Sequence, residues 1–246
     1  MGELIAVLSG KGGTGKTSVC AGIATALAAS GSRVLCIDCD VGLRNLDISL
    51  GLSDAACLSF LEVCRGDYPL SQAAVHPQFP SLSFLTAPMN TSIDSIDTDA
   101  FGALIYEARK IYDFIFLDAP AGVDAGFRLT ARFADRCILV TGAGPAAIRD
   151  AERTGELLEL MGKTNVRLIV NRVDRKMVSA MNVTIDDVMD EAGLPLLGLV
   201  PEDPNVILAA AVGQPLLKMK PRCPAAKACR RIAKRIQGLP EAIGLR

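Results

Sequence analysis

The sequence has no apolar run that approaches the roughly 20 residues of a membrane-spanning helix, although half of its residues are hydrophobic. Its N-terminus has no basic segment followed by an apolar stretch and a cleavage site, which argues against secretion. The net charge is only −1, so the overall charge balance favours neither a nucleic-acid partner nor an anionic membrane. These absences favour a cytoplasmic globular protein, and 246 residues suit one large α/β domain.

The cysteines also lack the pattern of a metal site. Eight are present, but no second pair stands at zinc spacing. Most fall inside predicted helices or strands, which is typical of reduced, buried thiols in a cytosolic protein. Cys36 and Cys39 form a C-x-x-C pair, yet Cys36 lies on a predicted strand between Leu35 and Ile37. We therefore predict no metal or redox site at this pair.

Strands and helices alternate along the chain. The predicted strands cover residues 2–9, 33–38, 82–86, 113–118, 137–141, 166–173 and 196–200. The predicted helices cover residues 16–30, 58–65, 99–110, 124–133, 146–161, 183–192, 205–211 and 225–237. The strands are short, continuous apolar runs, so helices should cover both faces of the sheet. Without repeats or long linkers, residues 1–246 are predicted to form a single α/β domain with a doubly wound, mostly parallel sheet.

A glycine-rich loop with two lysines follows the first predicted strand. The run Gly10-Lys11-Gly12-Gly13-Thr14-Gly15-Lys16-Thr17 fits G-x-x-x-x-G-K-[ST], and it lies between a strand and a helix, the context that confirms a phosphate-binding loop. The glycines let successive backbone N–H groups point at phosphate oxygens, and the next helix turns its positive end toward the anion. Lys16 is placed to reach the β- and γ-phosphates, and the Thr17 hydroxyl to reach Mg²⁺. We therefore predict a P-loop NTPase fold with nucleotide contacts at Gly10, Lys11, Gly12, Gly13, Thr14, Gly15, Lys16, Thr17 and Ser18.

Acidic residues follow two of the predicted strands. Asp118 ends the apolar run 114–118, the Walker B pattern, and should contact Mg²⁺ through water. A carboxylate beside the triphosphate can aim a water at the γ-phosphorus. Asp40 is favoured for this role over Asp38, which belongs to the strand end. The predicted metal site comprises Thr17, Asp40 and Asp118, and the predicted catalytic residues include Lys16 and Asp40.

The base pocket is predicted from two later strand ends. Asn171 and Arg172 end one strand, and an asparagine amide offers a donor and an acceptor to adenine. Pro201, Glu202 and Asp203 end the next strand, and their contact with adenine is implied by the family resemblance that is given below. The alternative for both segments is turn chemistry, in which proline and aspartate are common.

Two helices bear on possible partners. The helix 146–161 begins with the charged residues Arg149, Asp150, Glu152 and Arg153, which a solvated helix face would also explain. The closing helix 225–237 carries basic residues on one side and small apolar residues on the other. Such a helix can lie on a membrane, but its apolar face lacks residues that insert well, so we predict that this face packs on the domain.

The position of Lys11 indicates a family. The run K-G-G-x-G-K-[ST] resembles the deviant Walker A motif of the MinD/ParA family of ATPases. The segment 38–47 resembles the family's switch I, and Asp118-Ala119-Pro120-Ala121-Gly122 resembles its switch II. The resemblance implies a Mg²⁺-dependent ATPase that converts ATP and water to ADP and phosphate, with the Gly122 amide sensing the γ-phosphate. It also implies an ATP-dependent homodimer in which Lys11 acts as a catalytic residue on the partner's nucleotide.

Within this family, the segment Asp40-Val41-Gly42-Leu43-Arg44-Asn45-Leu46-Asp47 is similar to the septum-site regulators. This implies a spatial regulator of cell division that hydrolysis resets, with activator or inhibitor proteins docking on the helix of Arg149, Asp150, Glu152 and Arg153. Family members usually end in a tail that mixes basic and bulky apolar residues, whereas residues 238–246 carry only Arg246 as a basic residue. Membrane recruitment by that route is therefore not predicted, and a peripheral location at the inner face of the plasma membrane stays open.

Three alternatives share parts of this pattern. A ParA-type ATPase that positions DNA or another cargo has the same motifs, but should show a basic DNA-binding surface. An iron–sulfur reductase or carrier would need cysteines at the dimer face, and none follows Asp118 closely. A non-hydrolysing adaptor would bind ATP and dimerise without turnover.

Overall fold

The structure is a computed structural model that describes residues 1–41, 43–89, 91–174 and 185–244, apart from the side chains at positions 94 and 185. Its strands are β1 Glu3–Leu8, β2 Val34–Asp38, β3 Ala74–Val75, β4 Leu82–Leu85, β5 Phe114–Asp118, β6 Arg136–Thr141, β7 Val166–Val173 and β8 Leu196–Pro201. They form one sheet in the order β3-β4-β2-β5-β1-β6-β7-β8. The sheet is parallel except for the antiparallel pair of β3 and β4. This confirms the predicted doubly wound, mostly parallel sheet.

The described helices cover both faces of the sheet. They are α1 Lys16–Ala29, α2 Leu46–Leu50, α3 Phe60–Cys64, α4 Thr98–Ile111, α5 Ala125–Phe133, α6 Pro145–Leu160, α7 Ile185–Ala192, α8 Pro204–Ala211, α9 Leu216–Met219 and α10 Pro224–Ile236, with 3₁₀ turns at Leu70–Gln72 and Ile93–Ser95. None of these helices is long and apolar enough to cross a membrane.

Every predicted element is present, with ends within two residues of the prediction where the structure describes them. The predicted helix 183–192 is described only from Ile185, and its first two residues lie outside the described part of the chain. Three short elements were not predicted: α2, α9 and β3. Each has at most five residues, too few to show a hydrophobic period, and β3 depends on its partner strand β4.

The core lies on both faces of the sheet. On one face α1 contributes a run of small and aliphatic residues that packs between the sheet and α10. The other face is filled by α4, α5 and α6, where Phe60, Phe101 and Phe133 meet edge to face with ring centroids 5.5 Å apart in each successive pair. The strand interiors are fully buried, which explains why they read as continuous apolar runs.

The closing helix α10 packs on the domain, as predicted. Its buried side chains face α1 and β8. The contact with α1 is close, because a Cβ at Gly22 would lie 2.5 Å from Cys229 Sγ. The apolar face of α10 is therefore covered, and a membrane role for that face is excluded. All eight cysteines are free thiols.

The sole histidine joins β3 to the end of α2 and gives stability a pH dependence. The buried His76 ring places Nε2 2.8 Å from the carbonyl oxygen of Leu50, while Nδ1 accepts N–H bonds from Gln78 and Phe79. An accepting Nδ1 requires the neutral ring, and burial lowers the pKa of His76 below 6.5, although the bond to Leu50 acts in the opposite direction.

Because the folded pKa is depressed, this stabilisation is present above the unfolded pKa and is lost as pH falls through the folded pKa. Urea unfolding followed from about pH 7.5 to 5.5 should therefore show a loss of stability that His76→Gln lacks, at about 1.4 kcal/mol for each pKa unit of depression. Other groups titrate equally in both proteins, so the difference isolates His76. Parallel pH profiles would contradict this assignment.

Candidate nucleotide-binding site

The loop between β1 and α1 has the geometry of an anion cradle. Gly13 and Gly15 adopt φ of +79° and +80°, the left-handed region that favours glycine. Gly15 is the N-cap of α1 and supplies no side chain, so the first amides of the helix are not capped by one. The Thr14 hydroxyl in the same loop is buried without a hydrogen-bond partner. An orphaned buried hydroxyl beside uncapped amides fits a bound phosphate group.

Lys16 is held at the foot of this loop by Asp118. The ammonium Nζ lies 2.6 Å from Asp118 Oδ1, and the two side chains are only 5% and 1% exposed. Burial alone would lower the pKa of Lys16, but the Asp118 carboxylate outweighs it, and the net pKa is raised. Lys16 is thus a fixed, desolvated cation at the carboxyl end of the sheet, with an acidic partner that a phosphate could replace.

The register of the sheet places the acidic residues side by side. Asp38 on β2 pairs with Asp118 on β5, which pairs with Val7 on β1. Asp38 is fully buried, and its carboxylate accepts backbone N–H bonds from Asp40, Asn45 and Leu46 at 2.9–3.2 Å. Burial and the neighbouring Asp118 charge raise the pKa of Asp38 to about 7. Asp38 therefore holds both ends of the segment 40–46 by hydrogen bonds. Residue 42 of this segment lies outside the described part of the chain.

Asp40 lies at the open end of this segment. It is half-buried; burial raises the pKa of its carboxyl, while the Lys16 charge acts to lower it. Lys16 Nζ also lies 3.4 Å from Thr17 Oγ1, so this hydroxyl and the Asp118 carboxylate contact one ammonium, and Asp40 is near enough to act on its charge. These are oxygen donors of the kind that Mg²⁺ takes, together with substrate phosphates and water. The residues present therefore fit Mg²⁺ with a nucleotide.

The segment 118–122, which resembles switch II, lies against the end of β1. Gly122 has φ of +94°, and its N–H donates to the carbonyl of Ser9 at 3.2 Å. The amide that was predicted to sense a γ-phosphate is thus bound within the chain. Sensing would require this hydrogen bond to be exchanged for one to the nucleotide.

The predicted base residues line one pocket. An open pocket is bounded by Gly15 and Ser18 on the loop side, and by Asn171, Arg172, Pro201, Glu202, Asp203 and Ile207 among others. The Asn171 amide donates to the Thr14 carbonyl at 2.8 Å, which joins this pocket to the phosphate loop. A Cβ at Gly15 would lie 2.3 Å from Asn171 Nδ2, so the loop needs glycine here for close approach.

Charged residues at the rim of this pocket already have partners. Arg172 Nε lies 2.8 Å from Glu202 Oε2, although Arg172 has a strained φ of +56°. Asp203 caps α8: it accepts bonds from Asn205 and from the Ala225 N–H. Burial would raise the pKa of Asp203, but these hydrogen bonds lower it overall. Its carboxylate therefore holds the pocket wall together, as the turn-chemistry alternative expects, and its adenine contact stays a prediction.

Lys11 is paired within its own chain. Its Nζ lies 2.7 Å from Asp150 Oδ2 on α6, with side-chain exposures of 45% and 36%. We call this ion pair the α6 latch. The same helix approaches the loop at Gly10, where a Cβ would lie 2.5 Å from Thr154 Oγ1. Of the residues predicted to bind partners, Arg149, Glu152 and Arg153 are exposed on α6 beside the latch.

The sequence did not indicate the contact of Thr154 or the backbone conformation of Arg44. Thr154 reaches Gly10 only because α6 folds onto the loop, and no local motif marks it. Arg44 in switch I has a strained φ of +46° and a buried Nε without a hydrogen-bond partner. Arg44 belongs to the segment that resembles the family, but its left-handed conformation, which favours glycine, is not indicated by the sequence.

A comparison with protein families decides the assignment. Residues 5–216 match the CobQ/CobB/MinD/ParA nucleotide binding domain. The chain belongs to this family. The predicted resemblance to MinD/ParA ATPases is therefore confirmed, and the phosphate loop, Walker B strand and switch segments described above occupy the matched range.

Individual relatives of the family extend over nearly the whole chain. The septum site-determining protein MinD of Synechocystis is 36% identical over 240 residues, which cover 97% of this chain and 90% of that protein. A chain of the MinC:MinD cell division protein complex from Aquifex aeolicus has a TM-score of 0.90 and 34% identity, and the match covers 98% of each chain. The septum site-determining protein MinD from Pyrococcus horikoshii, complexed with Mg-ADP, has a TM-score of 0.84 and 30% identity over 96% of each chain.

Proposed function

We propose that this chain is a MinD-like, Mg²⁺-dependent ATPase that dimerises with ATP, is reset by hydrolysis, and regulates the placement of the division site from the cytoplasmic side. The observation that carries the proposal is the different placement of its two loop lysines. Lys16 is buried against Asp118, whereas Lys11 is half-exposed on a weak pair. One lysine is thus built for the nucleotide of its own chain and the other is available to a second chain.

In this proposal the triphosphate occupies the cradle of residues 10–17. Its phosphates replace Asp118 as the partner of Lys16, which then stabilises charge on the transferring phosphoryl group. Asp118 is released to face the metal site with Thr17. Mg²⁺ would supply charge neutralisation at the β- and γ-phosphates when bound there.

Asp40 orients the attacking water in this scheme. Asp38 supports it, because the buried carboxylate holds the backbone of Asp40 in place. Asp38 and Lys16 are both buried, so solvent screens the charges at the phosphate end of the site only weakly. Adenine lies in the pocket of Asn171, Arg172, Pro201 and Glu202, which Asn171 ties to the loop.

Dimerisation in this proposal requires Lys11 to leave the α6 latch. A second chain's phosphates would then attract the free ammonium more strongly than one half-exposed carboxylate does. Replacing Asp150 with alanine should favour the dimer, because an exposed pair contributes up to about 1 kcal/mol in each protomer. A dimer contains two such pairs. With a non-hydrolysable ATP analogue bound, the dimer dissociation constant of Asp150→Ala should therefore be up to about 30-fold lower than that of the wild type.

Glu152→Ala is the matched control for this prediction. Glu152 is exposed on the same helix but does not pair with Lys11. Analytical ultracentrifugation of both variants with the analogue measures the dissociation constants. A constant for Asp150→Ala that is equal to or weaker than that of Glu152→Ala would refute the restraining role of the latch.

Partner proteins of the division-site type are proposed to dock on α6. The Aquifex aeolicus relative forms a complex of MinC with MinD. In this chain Arg149, Glu152 and Arg153 lie exposed next to the α6 latch. A protein bound there would change how readily Lys11 separates from Asp150. Through Thr154 and Gly10 the same helix contacts the phosphate loop, which gives such a partner a physical route to the nucleotide.

Phosphate release from ATP tests the enzymatic part of the proposal. Turnover should require Mg²⁺, and the rate per chain should rise with protein concentration because only the dimer has a complete site. ATP binding without turnover at any concentration would leave the non-hydrolysing adaptor as the function.

A further inference from the structure

Two pairs of helices lie on opposite sides of the molecule. α6 and α7 pack on one face of the sheet, where their buried side chains enter the same core cluster as Leu168 of β7. α9 and α10 pack on the other face, where their buried side chains enter the cluster that contains Ile169. Successive residues of a strand point to opposite faces, so no side chain of the first pair can reach the second pair around the sheet.

A wide groove between α6 and α7 is acidic. It has a volume of about 650 Å³, and we call it the α6–α7 groove. Glu156 and Glu159 line it from α6, and Asp190 and Glu191 line it from α7. All four residues are exposed, and none of their carboxylates forms an ion pair in the described part of the chain.

Two basic residues in the lining leave this groove negative. The Lys163 ammonium donates to the carbonyl oxygens of Arg132 and Ala134, at 2.8 and 3.0 Å. Arg167 is exposed. Together with Glu152, five carboxylates and two cations line the groove, which gives it a formal charge of −3. A cationic occupant would therefore be attracted to it.

The opposite side of the molecule carries positive charge. Residues 204–240 contain no aspartate or glutamate and include eight basic residues. Four of these are exposed and have no ion pair within the residues that the structure describes: Lys218, Lys220, Arg222 and Lys227. We call these four residues the α9–α10 face.

We propose that the α6–α7 groove of one copy of this chain binds the α9–α10 face of a second copy. The two surfaces have opposite charge and lie on opposite sides of one molecule, so they can meet only between molecules. A contact between two different surfaces leaves one of each free, so it extends into an open chain or a ring and does not end at a two-fold pair. Both surfaces lie outside the phosphate cradle, so the proposal does not rest on ATP binding or hydrolysis.

Charge complementarity selects the occupant, and exposed aliphatic residues support it. Leu160 ends α6 and is 85% exposed, and Val212 precedes α9 and is 52% exposed. The stems of lysine and arginine can pack on such side chains while their charged ends reach the carboxylates. Because charged residues dominate both surfaces, we expect the weak, transient kind of interface.

Sedimentation velocity of the full chain with Mg²⁺-ADP tests this proposal, because the ATP-dependent dimer is not expected in that state. Exposed charges are screened beyond about 8 Å at about 0.15 M salt, but only beyond about 30 Å at about 0.01 M. We expect a weight-average mass that rises with protein concentration at the low salt, and a monomer at the high salt. A monomer at the low salt at every concentration would overturn the proposal.

Charge reversal on either surface should break the contact, and mixing the two variants should restore it. Glu156→Lys/Glu159→Lys makes the groove basic, and Lys218→Glu/Lys220→Glu makes the opposite face acidic. Each variant alone should have an association constant about 30-fold lower than the wild type, or about 2 kcal/mol, because two attractive pairs become repulsive. In an equimolar mixture each altered surface meets its complement on the other variant, so the wild-type association should return.

Matched controls separate these two surfaces from net charge. Asp54→Lys/Asp67→Lys and Arg65→Glu/Arg128→Glu make the same changes of charge at exposed sites elsewhere. Both controls should associate like the wild type. Equal losses in the controls and in the surface variants, or a mixture of the two surface variants that stays monomeric, would overturn the proposal. ADP affinity, measured on every variant, shows whether the fold is intact.

Discussion

Replacing Lys16 with methionine is expected to destabilise the nucleotide-free protein by about 3 to 5 kcal/mol, besides abolishing nucleotide binding. The reason is the near-complete burial of its partner. Asp118 is 1% exposed, and without Lys16 its carboxylate has no cation at hydrogen-bond distance in the described part of the chain. A buried charge without a partner costs far more than the pair contributes.

Lys11→Met is the matched control for this prediction. Lys11 also forms an ion pair, at 2.7 Å against 2.6 Å, but its pair with Asp150 is about half-exposed. Solvent screens such a pair, so the expected loss is at most about 1 kcal/mol. Urea unfolding without nucleotide measures both. Equal losses would contradict the account of the buried pair, and Lys16→Met/Asp118→Asn should recover much of the Lys16→Met loss because no buried charge remains.

Replacing Asp40 with asparagine is expected to lower the turnover of ATP by a factor of about 10² to 10⁴, the usual contribution of a positioned proton acceptor. Asparagine keeps the shape of the side chain but cannot accept the proton of the attacking water. The nucleotide should still bind, because the cradle, Lys16, Thr17 and Asp118 are untouched. The ATP-bound dimer should accumulate, since its reset step is removed.

Asp54→Asn provides the comparison for Asp40→Asn. Asp54 is an exposed acid in the loop after α2, away from the phosphate cradle. Single-turnover phosphate release and equilibrium nucleotide binding separate chemistry from affinity. If Asp40→Asn hydrolyses ATP as fast as Asp54→Asn, another residue positions the water, and the buried Asp38 is the first to examine.

Local patterns were sufficient to predict the sheet and the phosphate cradle. The apolar strands are buried on both faces, and a glycine–lysine loop between a strand and a helix has few other uses. The short elements α2, α9 and β3 were not predicted, because they depend on packing and are too short to show a hydrophobic period. The base residues were predicted from strand ends that meet at one edge of a parallel sheet and from the family resemblance. Neither indicates which hydrogen bonds these residues make.

Contacts between residues that are far apart in the sequence could not be predicted from it. Lys11 and Asp150 are 139 positions apart, and only the packing of α6 on the loop joins them. Asp38 was identified as a strand end, whereas its three backbone bonds depend on the path of the segment 40–46.

The ATP-dependent homodimer with Lys11 acting across its interface is the central claim, and light scattering coupled to size exclusion tests it most directly. The wild type and Lys11→Ala are compared with Mg²⁺-ADP and with a non-hydrolysable Mg²⁺-ATP analogue. We predict a wild-type dimer with the analogue alone and a Lys11→Ala monomer with both nucleotides. A wild type that stays monomeric with the analogue, or a Lys11→Ala protein that dimerises as well as the wild type, would contradict the claim.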